Sequence, residues 1–150
     1  MNALLLDANS IILLARAGWI PEGDDDTNVM TTAIAAYELG NAVWKDLHIF
    51  KKLTEEESQI LLTAFYEAIL RLRVEPQLEL SERLEILGNA DRLSISYYDS
   101  SYLTAAMRLE ATLVTEDKGL TKAAAVCGVP AISAGKLMKT RQSTTFDTIM

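Results

Sequence analysis

The sequence contains one cysteine and one histidine, and these shortages argue against several kinds of site. Cys127 alone cannot form an internal disulfide or a cysteine metal cage, and low cysteine usage is typical of a reducing, cytoplasmic setting. With His48 as the sole histidine, the sequence disfavours a histidine-based catalytic triad and a histidine-rich zinc site. We therefore expect a cytoplasmic protein whose chemistry uses other side chains.

Long apolar runs and glycine-rich phosphate loops are also missing. Each apolar run is interrupted within a few residues, so no transmembrane span is predicted. Asp7 follows closely after the first methionine without a basic segment, so no signal peptide is predicted. No glycine motif of the P-loop or dinucleotide type occurs, which disfavours those nucleotide-binding classes.

Basic residues are outnumbered, with 14 Lys and Arg against 21 Asp and Glu and a net charge of -7. Phosphate binding depends largely on Lys and Arg, so this balance normally counts against a nucleic-acid partner. The objection weakens if several acids gather at one place and a divalent cation neutralises them. The acidic run Asp24–Asp26 lies in a loop sequence and is interpreted as a solvated turn.

Short apolar segments alternate with helical patterns along the 150 residues. This alternation predicts a single α/β domain, a three-layer α/β/α sandwich with a central parallel sheet. We place the domain at residues 1–138 and a polar C-terminal tail at 139–150. Strands are predicted near 2–6, 28–31, 72–74, 111–115 and 128–133. Helices are predicted over 8–17, 32–46, 80–90 and 118–126, with others following Thr54 and Ser96.

Acids stand where several of these elements meet. Asp7 ends the first strand, Asp117 follows the strand at 111–115, and Asp99 lies at the start of a helix. Strand ends and following helix starts share one edge of a parallel sheet, where such folds bind ligands. Helix capping also explains Asp7, and a capping box with Ser96 also explains Asp99. Glu38 lies within a helix, and spacing alone does not bring it to this edge.

A cluster of such acids would require a counter-charge. Two carboxylates about 5 Å apart repel by roughly 3 kcal/mol at an effective dielectric constant of about 20. A cation between them, or protonation, would relieve that repulsion. Oxygen ligands without cysteine or histidine favour hard ions such as Mg²⁺ or Mn²⁺.

Four segments, taken in their order and spacing, resemble a known family. The chain resembles PIN-domain ribonucleases, in particular the VapC-like toxin components of bacterial and archaeal toxin–antitoxin pairs. The segments that carry the resemblance are LLDA at Leu5–Ala8, YELGNAVW at Tyr37–Trp44, SYYDSSYL at Ser96–Leu103 and LVTEDKGL at Leu113–Leu120.

The resemblance implies a Mg²⁺- or Mn²⁺-dependent endoribonuclease that hydrolyses RNA, forms a homodimer and has a cognate antitoxin. Four acids would form its catalytic metal site: Asp7, Glu38, Asp99 and Asp117. Three further residues would contact substrate or water: Asn9, Asn41 and Thr115. Asn9 departs from the family pattern, which often has Ser or Thr at that position, but its amide can still form a hydrogen bond.

Other functions remain open on the sequence. The protein could be a PIN nuclease of RNA processing rather than a toxin, a phospho-acceptor receiver domain, or a non-catalytic metal-binding domain. A receiver would need an Asp at the end of a central strand, and the segment from Ile49 to Glu57 contains none. Four aromatic or apolar residues are candidates for a partner surface, although Tyr66 is better explained as core: Trp19, Ile20, Phe50 and Tyr66.

Overall fold

A computed structural model describes residues 3–18, 28–76 and 78–140. Its sheet has five parallel strands in the order β3-β2-β1-β4-β5. The strands are β1 (Ala3–Leu6), β2 (Asn28–Thr31), β3 (Arg73–Val74), β4 (Thr112–Val114) and β5 (Ala131–Ile132). The predicted α/β class with a central parallel sheet is confirmed.

Helices cover both faces of this sheet. They are α1 (Ala8–Arg16), α2 (Ile34–Trp44), α3 (Glu55–Leu70), α4 (Leu80–Leu93), α5 (Tyr97–Arg108) and α6 (Lys118–Val126). A π-helical turn, Lys45–Ile49, continues α2, and residues 134–140 are also helical. The predicted domain boundary at residue 138 falls inside that last helical segment. The rest of the predicted tail, the acidic run Asp24–Asp26, Trp19 and Ile20 lie outside the described residues.

The central strand β1 shows why the sheet has two cores. Leu4, Leu5 and Leu6 are all fully buried. Side chains alternate between the faces of a strand, and Leu4 and Leu6 pack with α1, α2 and α3 whereas Leu5 packs with α5 and α6. A strand covered on both faces requires this continuous apolar run.

Two helix starts follow the signals in the sequence, one with both bonds of a capping box and one with the Ser96 bond alone. Thr54 and Glu57 form a full capping box at α3, with bonds of 2.9 Å and 3.1 Å. The Ser96 hydroxyl accepts the Asp99 amide proton at 3.0 Å and caps α5. These caps fix where each helix begins, because a side-chain oxygen satisfies an amide that has no partner within the helix.

Two local predictions were wrong. The helix expected to end near Asp46 continues as the π-helical turn, because no Gly or Pro stops it, and the chain reverses only at Lys51 with φ 53°. Tyr66, expected in the core, is 59% exposed. It stands one position beyond Phe65, and the buried stripe of α3 continues through Phe65, Ala68 and Ile69.

The carboxyl ends of β1 and β4 meet at the centre of the sheet. The Asp7 amide donates to the Val114 carbonyl at 3.2 Å and joins the two strand ends. The order of strands changes direction here, since β2 lies on one side of β1 and β4 on the other. Such a switch point leaves a crevice between the helices that follow the strands. Among the described residues, no helix has both the length and the apolar character needed to cross a bilayer.

Candidate active site

Asp7 lies in the crevice and is 8% exposed. Its Oδ1 accepts the Ser10 amide proton at 2.9 Å and caps α1, and its Oδ2 accepts the Thr115 hydroxyl proton at 2.6 Å. Burial raises the pKa of the Asp7 carboxyl above its usual value, although the bonds from Thr115 and Ser10 oppose that rise. Asp7 is therefore a helix cap and also a buried acid held at both oxygens.

Thr115 links this acid to the second strand end. It is buried, and its Oγ1 also accepts the Asp117 amide proton at 3.1 Å. The Asp117 Oδ1 in turn accepts the Leu120 amide proton at 2.7 Å, which caps α6. A Cβ at Gly119 would stand 3.2 Å from that Oδ1, closer than ordinary van der Waals contact. Glycine thus leaves room for the Asp117 carboxylate.

Glu38 reaches the crevice from α2. The Tyr102 hydroxyl, on α5, donates to its Oε1 at 2.7 Å. Burial raises the pKa of Glu38; the Tyr102 bond opposes this rise, and the negative charges of Asp99 and Asp7 add to it. Burial and the neighbouring Glu38 also raise the pKa of Tyr102, so the phenol remains a neutral donor.

Asp99 lies in the first turn of α5 and is partly buried. Burial raises its pKa, and the charges of Asp117 and Asp7 raise it further. Like charges have this effect only at short range, because each disfavours ionisation of the other. Asp99 therefore lies close enough to Asp7 and Asp117, and Glu38 close enough to Asp7 and Asp99, for their negative charges to interact.

One cavity of about 340 Å³ contains all four of these acids, and we call it the acidic cavity. Its lining is Asp7, Ala8, Asn9, Glu38, Asp99, Tyr102, Glu116 and Asp117. Asn9 thus lies in the lining, whereas Thr115 does not and instead donates a hydrogen bond to Asp7. Asn41 is exposed one turn after Glu38 on α2 and is not part of the lining.

Sequence reasoning missed Tyr102 and Glu116 as members of this cavity. The Glu116 Oε1 accepts the Ala134 amide proton at 2.6 Å and holds the segment after β5 against the end of β4. Its charge also contributes to the raised pKa of Asp7. Glu116 directly precedes Asp117, and Tyr102 lies three positions after Asp99 on the same face of a helix. Their positions next to predicted site residues could therefore have marked both as members of the cavity.

The donor set is suited to some metals and not to others. Within the described ranges, no three or more His, Cys, Asp and Glu side chains are already arranged to hold a metal ion. Mg²⁺ usually keeps several waters and binds through one or two carboxylates, whereas structural Zn²⁺ takes four protein ligands that commonly include Cys and His. An acidic cavity lined by oxygen donors therefore fits a hydrated hard cation.

The structure gives no support to a receiver domain. Residues 45–49 and Glu55–Leu70 are helical, and within the described residues no strand in the middle of the chain ends in an aspartate. A phospho-acceptor site would need such an aspartate at the centre of the sheet.

Solved structures resemble the chain over nearly its whole length. PAE2754 from Pyrobaculum aerophilum matches with a TM-score of 0.76 and 22% identity, over 95% of this chain and 98% of that chain. VapBC-1 from nontypeable Haemophilus influenzae matches with a TM-score of 0.62 and 15% identity, over 89% and 99%. VapBC2 from Rickettsia felis, solved with a DNA fragment from its promoter, matches with a TM-score of 0.60 and 14% identity, over 87% of this chain and 98% of that chain.

The fold is PIN-like. No protein-family model matches the sequence, and no curated protein matches it either. Identities below 25% establish the arrangement of helices and strands and leave the activity to be argued from the site.

Proposed function

We propose that the protein is a metal-dependent endoribonuclease, the toxin of a toxin–antitoxin pair, acting in the cytoplasm. The observation that carries this proposal is the acidic cavity, in which four acids from two helices and two strand ends converge. The sequence resemblance to VapC-like PIN domains and the structural likeness to VapBC complexes support the same function.

Asp7, Glu38, Asp99 and Asp117 would hold Mg²⁺ or Mn²⁺. Such a cation polarises a phosphoryl oxygen and lowers the pKa of water, so no histidine base is needed. The chain's own residues hold the acids in place before substrate arrives. Thr115 and Ser10 fix Asp7, the Leu120 amide fixes Asp117, and Tyr102 fixes Glu38. Ligands fixed in advance need little reorganisation during the reaction.

RNA would meet polar groups at the rim of the acidic cavity. Asn9 is exposed there, and Lys118 begins α6 directly after Asp117. A lysine beside the acids would contact a backbone phosphate and position the RNA without reading its sequence. The direct contacts assigned to Asn9, Asn41 and Thr115 remain predictions.

Cleavage of a mixed-sequence RNA by the purified protein tests this function. The reaction is run with Mg²⁺, with Mn²⁺ and with a chelator, for the natural chain and for Asp7→Asn. Metal-dependent cleavage that Asp7→Asn removes supports the proposal. Cleavage that survives both the chelator and the substitution would contradict it. Metal binding without cleavage of any RNA tested would favour a non-catalytic metal-binding domain.

Gly119→Ala should impair cleavage without harming the fold. Alanine favours helix by roughly 0.5–1 kcal/mol, but its Cβ would displace the Asp117 Oδ1. Because small misplacements of catalytic groups are costly, we expect cleavage to decrease about threefold to tenfold with an unchanged or higher melting temperature. Gly88→Ala is the matched control, since a Cβ there meets nothing within 4 Å. Equal cleavage by both variants would show that a Cβ at position 119 does not displace the Asp117 carboxylate.

We also propose a homodimer and a cognate antitoxin that covers the acidic cavity. Leu80, Leu84 and Leu87 form one stripe of α4, and each is more than half exposed. An apolar stripe of this kind is typical of a protein interface. We therefore predict that light scattering finds a dimer and that Leu84→Glu converts it to a monomer.

Leu62→Glu, on the exposed face of α3, is the control for that substitution. It introduces the same charge at another exposed leucine and should leave the dimer intact. A monomeric natural chain, or a dimer that Leu84→Glu leaves unchanged, would contradict the assignment of α4 to the interface.

A further inference from the structure

A second cavity, of about 390 Å³, lies beside the acidic cavity. The same two helices line both. Helix α2 supplies Glu38 to the acidic cavity and Tyr37 to the second, and α5 supplies Asp99 to the first and Tyr97 to the second. We call the second one the tyrosine cavity. Tyr37 directly precedes Glu38 in the chain, so the two cavities lie close enough for one RNA strand to contact both.

The tyrosine cavity contains a buried carboxylate with spare hydrogen-bonding capacity. Glu75 is 8% exposed, and its Oε2 pairs with the Arg108 guanidinium at 3.2 Å. Its Oε1 is buried and has no hydrogen-bond partner within the described residues, and the same holds for the Thr32 Oγ1 nearby in the lining. Buried polar groups nearly always have partners, so these two atoms indicate a ligand that donates hydrogen bonds.

The remaining lining suits a flat aromatic ligand that carries a phosphate. Tyr37 is 82% exposed and Tyr97 is also exposed, so both phenol rings are open to stacking. Apolar side chains, Ile34 and Ile86 among them, form much of the wall. Arg83 adds a positive charge to the lining, whereas the charge of Arg108 is already paired with Glu75 and Glu82. Single-stranded RNA is bound through this combination of stacked bases and cationic phosphate contacts.

We propose that the tyrosine cavity binds one unpaired base of the RNA next to the cleaved bond, and that guanine fits it best. Guanine presents two adjacent N–H donors, N1 and N2. The unpaired Oε1 can accept one of them, and Oε2, which already accepts from Arg108, keeps a second lone pair for the other. Cytosine and adenine present only one amino group. Uracil presents a single imino donor between two carbonyls, which a carboxylate repels. The volume suffices for a single base. This inference rests on the proposed ribonuclease function and names the feature of the RNA that the enzyme selects.

Glu75→Gln tests the base preference, because it keeps the shape of the side chain and removes its charge. We measure kcat/KM on short single-stranded RNAs that differ in one base beside the cleaved bond. The natural chain should favour guanine, and Glu75→Gln should lower kcat/KM on the guanine RNA about tenfold to hundredfold while the other RNAs change little. A uniform change on all four RNAs, or an unchanged preference, would overturn the proposal.

Glu82→Gln is the matched control. Glu82 pairs with the same Arg108 at 3.1 Å but does not line the tyrosine cavity, so its loss should leave the preference intact. If Glu75→Gln does not fold, Tyr37→Ala replaces it. That ring is exposed, and Tyr37→Ala tests the stacking: it should weaken the binding of all four RNAs, whereas Tyr37→Phe should retain it. Unchanged binding of every RNA by Tyr37→Ala would overturn the site.

A binding measurement separates this proposal from the ribonuclease function. The four ribonucleoside monophosphates are titrated into Asp7→Asn protein in chelator, and binding is followed by NMR shifts. Preferential binding of guanosine monophosphate that Glu75→Gln removes supports the base site even if no RNA is cleaved. Cleavage without any such binding or preference would overturn the base site and leave the ribonuclease intact. Loss of antitoxin binding in Glu75→Gln, with base preference unchanged, would identify a protein segment as the occupant and also overturn it.

Discussion

Asp7→Asn should reduce metal-dependent RNA cleavage at least about 100-fold. Asp7 is the most buried of the four acids, and both of its oxygens are engaged, by the Ser10 amide and the Thr115 hydroxyl. The amide of Asn removes the negative charge and turns one acceptor into a donor. Charge stabilisation by a bound cation is worth several kcal/mol, and each 1.36 kcal/mol corresponds to a tenfold change in rate. Single-turnover cleavage rates at saturating Mg²⁺ measure the effect.

Asp91→Asn is the control for this substitution. Asp91 is exposed on α4 and does not line the acidic cavity, so the same chemical change there should leave the rate unaltered. Circular dichroism and melting of Asp7→Asn establish that its fold is intact. A rate within a few-fold of the natural chain, in protein free of contaminating nuclease, would show that Asp7 is not part of the metal site.

The stability of the metal-free protein should decrease as the pH rises. Burial and neighbouring charges raise the native pKa values of Asp7, Glu38 and Asp99. Between their ordinary values, about 4, and the raised values, these acids bind more protons in the native state than in the unfolded state. These three acids therefore leave the free energy of unfolding unchanged at low pH and lower it as the pH rises through this window. Above the raised pKa values they lower it by the full amount.

Asp99→Asn isolates this effect from the other titrating groups. The Ser96 cap uses the backbone amide of residue 99, so the substitution keeps the cap while it removes one charge. In chelator at pH 7.5 we expect the variant to melt about 2–4 °C higher than the natural chain, the shift expected for about 1 kcal/mol in a domain of this size. The difference should shrink toward pH 4.

Adding Mg²⁺ should reverse that order. A cation that binds only the native state raises its stability with concentration, and the natural chain has one more carboxylate to bind it. Differential scanning calorimetry with and without Mg²⁺ measures both effects. An Asp99→Asn variant that melts at or below the natural chain in chelator at pH 7.5 would show that repulsion among the acids does not dominate.

Local signals determined most of the secondary structure. The capping box at Thr54 and Glu57 marks the start of α3, because both of its hydrogen bonds form between residues three apart. The run of leucines before Asp7 predicts a strand buried on both faces. From these elements alone, Asp7 and Asp117 could be assigned to one edge of a parallel sheet.

The position of Glu38 in the acidic cavity could not be predicted from local sequence patterns. Its spacing on α2 is that of an ordinary surface glutamate, and only the family resemblance suggested it as a site residue. The structure brings it to the acidic cavity because the Tyr102 hydroxyl, 64 residues later in the chain, binds its carboxylate. No pattern within one helix can encode a contact made by two helices.

The α/β class, the strand before Asp7 and the helix starts at Asp99 and Asp117 could be predicted from the sequence, because strand alternation and capping act between near neighbours. Packing of distant segments was needed to bring Glu38 to Tyr102, to place Glu116 among the acids, and to line a second cavity with Glu75 and Tyr37. These groups come from segments far apart in the chain, and their pKa values and unpaired atoms arise from burial that only packing of the helices onto the sheet creates.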